Sequence, residues 1–172
     1  MFTRKTIFAA SAALSIFAAI GMPASASTGE QPPAGRLFTN PANNMCLDVP
    51  GITNRTPGTA LQLYDCETNG FEVGGKQSDQ FWVFAMQGQI RNTLSGLCID
   101  IAGTDEGAAL EVRACNASPS QIWIVRQDGF IQNQATGKCI GLGENDNEHG
   151  ETPLQLSSCE FADPESDQRF SI

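Results

Sequence analysis

The chain has 172 residues, with 19 Asp and Glu against 10 Lys and Arg, for a net charge of −9. A surface that acidic argues against nucleic acid or anionic lipid as partner and leaves neutral or cationic ligands open. The single His, His149, has no Ser or Cys in a nucleophile motif beside it, so no catalytic triad can be assembled, and scattered carboxylates alone do not make a hydrolase.

At the N-terminus Arg4 and Lys5 precede an uncharged apolar run from Ile7 to Ile20, then Pro23 and the small-residue stretch Ala24-Ser25-Ala26. That order predicts a secretory signal peptide over residues 1–26, cleaved after Ala26. The run is short for a bilayer span, no Cys near the cleavage point offers a lipid anchor, and no second apolar span follows. The expected mature protein is therefore secreted: extracellular, or periplasmic where the source has an outer membrane. Removing Arg4 and Lys5 leaves 8 basic against 19 acidic residues, or −11. Residues 27–35 are small, polar and Pro-rich, as a disordered lead-in would be.

From Phe38 onward the chain repeats itself three times, over about 38–89, 90–130 and 131–172. Each unit opens on an apolar residue, any residue, then Asn: Phe38-Thr39-Asn40, Ile90-Arg91-Asn92 and Ile131-Gln132-Asn133. Six residues after each Asn comes a Cys, beginning Cys46-Leu47-Asp48-Val49, Cys98-Ile99-Asp100-Ile101 and Cys139-Ile140-Gly141-Leu142. A Gly-containing loop leads to a second alternating segment: Leu61-Gln62-Leu63-Tyr64-Asp65-Cys66, Leu110-Glu111-Val112-Arg113-Ala114-Cys115 or Leu154-Gln155-Leu156-Ser157-Ser158-Cys159. Each unit closes on Gln-x-aromatic: Gln80-Phe81-Trp82, Gln121-Ile122-Trp123 and Gln168-Arg169-Phe170.

Four short alternating segments per unit predict about twelve strands and no helix of note. Three four-stranded blades are too few to close a propeller, so three hairpin-bearing units around one core is the better architecture. Alternation directs Leu61 and Leu63 inward and Gln62 and Tyr64 outward. On the closing strands it pairs Trp82 with Phe84, Trp123 with Val125 and Phe170 with Ile172, and all six are expected to fill the common interior.

Six Cys in an exported chain read as three disulfides, with fifteen possible pairings. The two Cys of each unit lie 20, 17 and 20 positions apart at matching places in the pattern, so Cys46–Cys66, Cys98–Cys115 and Cys139–Cys159 are the economical assignment. If the paired Cys face each other across an antiparallel hairpin, residue numbers in the first unit sum to a constant that sets Asp48 opposite Tyr64, with Gln62 on the same face. A carboxylate to accept hydroxyl bonds, a ring to cover a C–H-rich face and an amide to orient the ligand suit a pyranose. In the second unit the same register sets Asp100 opposite Arg113, with Glu111 beside it, as an exposed ion pair. In the third, Gly141 faces Ser157. Only the first unit keeps the whole set.

These motifs resemble the ricin-B lectin family, over about residues 36–172. The resemblance implies an all-β fold, the β-trefoil: three four-stranded repeats as a six-stranded barrel capped by three hairpins, here with one disulfide per repeat. It implies carbohydrate binding by Asp48 and Tyr64, with Gln62 at a further contact position. Asp79 stands where the family often has Asn, losing an amide donor but keeping an acceptor, and Gln80 matches the Gln that braces the binding Asp. The expected partner is a glycan of galactose or pentose type, with no cofactor, metal or catalytic residue. A protein-interaction subunit on the same fold, such as a toxin cell-binding component, an enzyme subunit or a protease inhibitor, is the competing reading.

Two further features stand out. Thirteen residues separate Cys66 from Gln80, against 5 and 8 in the other units, and Phe71 in this insertion either extends the sugar platform or packs the loop down. The acidic turn 144–151 lacks the ordered ligand ladder of a calcium loop and reads as a solvated turn.

Overall fold

In the computed structural model the described residues are 34–72, 74–144 and 151–172. The expected signal peptide, most of the lead-in and most of the acidic turn, His149 included, lie outside them. Alternating segments become strands: β1 (Thr39–Asn40), β2 (Met45–Asp48), β3 (Thr59–Ala60), β4 (Gln62–Tyr64) and β5 (Trp82–Phe84) in the first unit. The second unit gives β6 (Ile90–Asn92), β7 (Cys98–Ile101), β8 (Leu110–Arg113) and β9 (Trp123–Val125). The third gives β10 (Ile131–Asn133), β11 (Cys139–Leu142) and β12 (Thr152–Ser157). The closing segment of the third unit makes only single bridges, Arg169 with Phe130 and Ser171 with Thr39. Helical structure among the described residues is confined to two three-residue 3-10 turns, and none of it is long and apolar enough to cross a membrane.

Each unit is antiparallel and hydrogen-bonded to its neighbours. Sheet order runs β1-β2-β4-β12-β11-β10-β9 and β3-β8-β7-β6-β5. The equivalent residues Leu61, Leu110 and Leu154 meet on the approximate three-fold axis: Leu61 N–H donates to Leu110 O at 2.8 Å, and Leu154 N–H to Leu61 O at 3.0 Å. The core packs around them, with Leu47, Leu63, Trp82, Ile99, Val112, Trp123, Ile140 and Leu156 all buried. This is the β-trefoil, with one disulfide in each repeat: Cys46–Cys66, Cys98–Cys115 and Cys139–Cys159. Each closes a loop of 17 to 20 residues, stabilising by about 3 kcal/mol if loop entropy in the unfolded chain dominates.

The repeated Asn and Gln are structural. Asn40, Asn92 and Asn133 are fully buried. Each amide reaches the backbone carbonyl just before a closing Gln: Asp167 O for Asn40, Asp79 O for Asn92, and Ser120 O for Asn133. Their side-chain oxygens cap the turns that follow. Gln80, Gln121 and Gln168 donate to Asp65 O, Ala114 O and Ser158 O, stapling each hairpin end to its closing segment. The Trp82 and Trp123 indoles donate to Leu47 O and Ile99 O. These buried amides and indoles are thereby paired, which the low-dielectric interior demands.

One expectation about packing is corrected. Trp82, Trp123 and Phe170 are interior, but Phe84, Val125 and Ile172 are 50%, 38% and 38% exposed. Phe84 and Val125 stand where their strands end and Ile172 follows the last bridge residue, Ser171, while the residues that open the repeats, Phe38, Ile90 and Ile131, already fill that layer at 0% exposure. Phe84 is left tilted against the Phe38 ring, centroids 5.6 Å apart.

The register also differs by two. Cys46 lies opposite Tyr64 and Asp48 opposite Gln62; Asp100 lies opposite Glu111, and Gly141 opposite Gln155. The paired Cys are diagonal neighbours because Gln80 captures Asp65 O at 2.8 Å just past Tyr64 and draws the chain out of the ladder. Cys66 then folds back over the start of β2, leaving 5.1 Å between the two Cα atoms. A shift of two residues preserves the face of every side chain, so the outward set survives it.

Candidate functional site

β2 and β4 carry Asp48, Gln62 and Tyr64 on one face of the first repeat. Asp48 Oδ2 accepts from Gln62 Nε2 at 2.7 Å, and Oδ1 from Gln80 Nε2 at 3.1 Å. Asp48 is only 6% exposed, whereas the neighbouring Tyr64 ring is 40% exposed. The carboxylate therefore forms the floor of a cleft and the phenol its wall. The cleft encloses about 250 Å³ and brings together Asp48, Gln62, Tyr64 and Asp79 of the expected set. Gln80 is fully buried and works from beneath: besides holding Asp48, its Oε1 accepts the Glu67 N–H at 2.8 Å.

Asp79 departs from expectation. It is buried at 3% exposure, and its carboxyl hydrogen-bonds to that of Asp48. Burial first, then the charge of Asp48, pushes its pKa up to about 9. At neutral pH Asp79 is thus a carboxylic acid donating to Asp48, and the donor that Asn would have supplied is restored as an O–H. Burial also raises the Asp48 carboxyl, opposed by the bonds from Gln62, Asp79 and Gln80. Two amide donors converge on Asp48, so it is the member of the pair that keeps the negative charge.

The insertion supplies residues that the sequence reading did not single out. Glu67 and Glu72 line the cleft, with Val49 and Ile52 from the β2–β3 connection and Glu151 from the third repeat. The insertion is a folded loop: Ser78 N–H donates to Gly70 O at 3.0 Å, Glu72 N–H to Lys76 O at 2.8 Å, and Phe71 bridges Gln77. Glu72 Oε1 accepts the Thr53 N–H at 3.3 Å, tying the loop across the mouth of the cleft to the β2–β3 connection. Phe71 is half-buried and lines a second groove that shares the Tyr64 ring. Glu67, Glu72 and Asp79 bring carboxylate oxygens within 4.8 Å of one another, the arrangement among the described residues that could hold a cation. The length of the insertion was the visible signal for Glu67 and Glu72. Glu151 had none, because it reaches the cleft only through the pairing of β12 with β4.

The other two repeats lack this geometry. In the second, Gln121 Nε2 still donates to Asp100 at 2.9 Å, but no aromatic stands nearby on β8. Arg113 pairs with Glu111 on its own strand at 2.6 Å, and not with Asp100 across the hairpin as expected. In the third, the Asp position is Gly141, and a Cβ there would come within 2.6 Å of Ser157 Cβ. The diagonal neighbour has filled the space.

A family profile described as the ricin-type β-trefoil lectin domain matches residues 33–170. The chain belongs to the ricin-type β-trefoil lectins. Among solved structures, the hemolytic lectin CEL-III is 25% identical with a TM-score of 0.60; the match covers 81% of this chain and 30% of that longer one. The earthworm R-type lectin C-half, solved in complex with GalNAc, is 22% identical with a TM-score of 0.58, covering 78% of this lectin and 94% of the earthworm chain. A mutant of the earthworm lectin C-terminal domain, in complex with 6'-sialyllactose, is 21% identical with a TM-score of 0.60, covering 78% and 93%. No curated protein sequence matches this lectin significantly.

Proposed function

We propose that this lectin is a secreted, non-enzymatic carbohydrate-binding protein whose competent site is the cleft of the first repeat. One observation carries the reading: a braced carboxylate, Asp48, lies beside the open ring of Tyr64, and neither other repeat retains that pair. Asp48 accepts from Gln62, from Gln80 and from the protonated Asp79 carboxyl, and a carboxylate has about four lone-pair sites, so capacity remains for one hydroxyl of a ligand. Tyr64 covers an apolar sugar face, and Gln62, fixed by its bond to Asp48, presents its carbonyl oxygen to a hydroxyl. The GalNAc and sialyllactose complexes of the earthworm lectin support a ligand of the galactose type. Three disulfides accord with export to an oxidising compartment, as the signal peptide reading requires. A single shallow cleft binds weakly, so useful affinity comes from multivalent glycans.

Glycan-array binding of the purified protein, with Asp48→Ala and Tyr64→Ala as controls, tests this. Binding to galactose- or pentose-type glycans is expected and is lost in both variants. Binding that survives both changes moves the site elsewhere. Absence of binding at high glycan density favours a protein partner for this fold.

A further inference from the structure

We propose that the first-repeat insertion makes this cleft selective for a cationic sugar, a hexosamine carrying a free ammonium beside its hydroxyls; this rests on the carbohydrate-binding reading above. Among the described residues the cleft has five carboxyl groups in its lining, Asp48, Glu67, Glu72, Asp79 and Glu151, and no Lys, Arg or His. Two of the five, Glu67 and Glu72, come from the insertion, whose position is fixed by the bonds from Glu67 N–H to Gln80 and from Thr53 N–H to Glu72. Asp48 and Tyr64 account for a neutral ring. They leave the charge of Glu67, Glu72 and Glu151 without a counter-charge among the described residues.

An ammonium supplies one. It has three N–H donors and no acceptor. Glu67, Glu72 and Asp79 offer three oxygens within 4.8 Å of one another, a span that N–H···O bonds of about 2.8 Å from one nitrogen can bridge. The Glu67 carboxyl lies beside Ser78, its Oε2 has no well-aligned hydrogen bond among the described residues, and a rotation of this half-buried side chain presents that oxygen to a donor in the cleft. Burial, and after it the charge of neighbouring carboxylates, already raises the Glu67 and Asp79 carboxyls, and a bound cation relieves that repulsion. A divalent ion fits less well. It demands six to eight oxygens for calcium, while Glu72 Oε1 already receives Thr53 N–H and the remaining wall is Val49, Ile52 and the Tyr64 ring.

The test compares hexosamines of the gluco, galacto and manno series with their N-acetyl and 2-hydroxy counterparts, displayed at equal density, with interferometry at low and high salt in EDTA. At least one ammonium form is expected to bind about tenfold or more tighter than both neutral forms, the scale of one charge-assisted hydrogen bond. That ratio should shrink in high salt and fall toward one in Glu67→Gln and Glu72→Gln, which keep size and one acceptor. Equal binding of charged and neutral forms overturns the proposal and leaves the lectin reading standing. Binding of neutral sugar that requires added calcium overturns it in favour of a metal. No binding in any series removes both readings.

Discussion

The carboxyl of Asp79 hydrogen-bonds to the carboxylate of Asp48 and holds its proton up to about 9. In the unfolded chain the same group ionises near 3.8. Between those values the folded protein binds a proton that the unfolded chain has released. The contribution is complete below 3.8 and is lost as pH rises toward 9. The thermal midpoint is therefore expected to fall steadily from mildly acidic to mildly alkaline pH. Asp79→Asn, which supplies a neutral donor at every pH, should flatten that slope and raise the midpoint at about pH 8 by roughly 5 °C. A midpoint that rises with pH in the parent protein contradicts the shared proton.

Asp48 accepts from two amide nitrogens, so its charge cannot be replaced by an amide without turning a donor toward a donor. Asp48→Asn should cost at least about 30-fold in glycan affinity. Tyr64 acts mainly through its ring. Tyr64→Phe should stay within about threefold of the parent, whereas Tyr64→Ala should lose about tenfold. Titration calorimetry against a multivalent glycan separates these outcomes.

Gln80 and Gln121 make parallel bonds in different repeats, Gln80 to Asp48 and Asp65 O and Gln121 to Asp100 and Ala114 O. Either change to Ala strands buried partners and should destabilise by about 2–4 kcal/mol. Gln80→Ala is expected to abolish glycan binding as well, and Gln121→Ala to leave it intact. Denaturant melts paired with a binding curve would show whether the two readouts part in this way.

Gly141 has no room for a side chain because Ser157 occupies the space. Gly141→Ala should destabilise by about 1–3 kcal/mol through overpacking, and adding Ser157→Gly should recover most of that loss. Additive losses in the double variant would show that the crowding has another origin.

The repeat, the disulfide partners and the inward faces of Leu61 and Leu63 were legible in the sequence because each follows from local spacing that recurs three times. Membership of Asp48, Gln62 and Tyr64 in one outward set was legible too, since the face of a strand depends only on whether a residue is odd or even. The register was not. A disulfide constrains Cα atoms to a few ångströms, which both a direct and a diagonal pairing satisfy, and the Gln80 bond to Asp65 O selects the diagonal. The exposure of Phe84, Val125 and Ile172 escaped the pattern because alternation says which face a residue takes and nothing about where the barrel ends.

Sequence alone determined that the chain is three copies of one disulfide-tied unit and that the first copy keeps an acid, an amide and a ring, because periodicity and spacing are one-dimensional facts. Tertiary structure decided the chemistry of the cleft. The protonation of Asp79, the approach of Glu151 from the third repeat and the closure of the insertion through Thr53 and Glu72 all depend on burial and on distances between residues far apart in the chain.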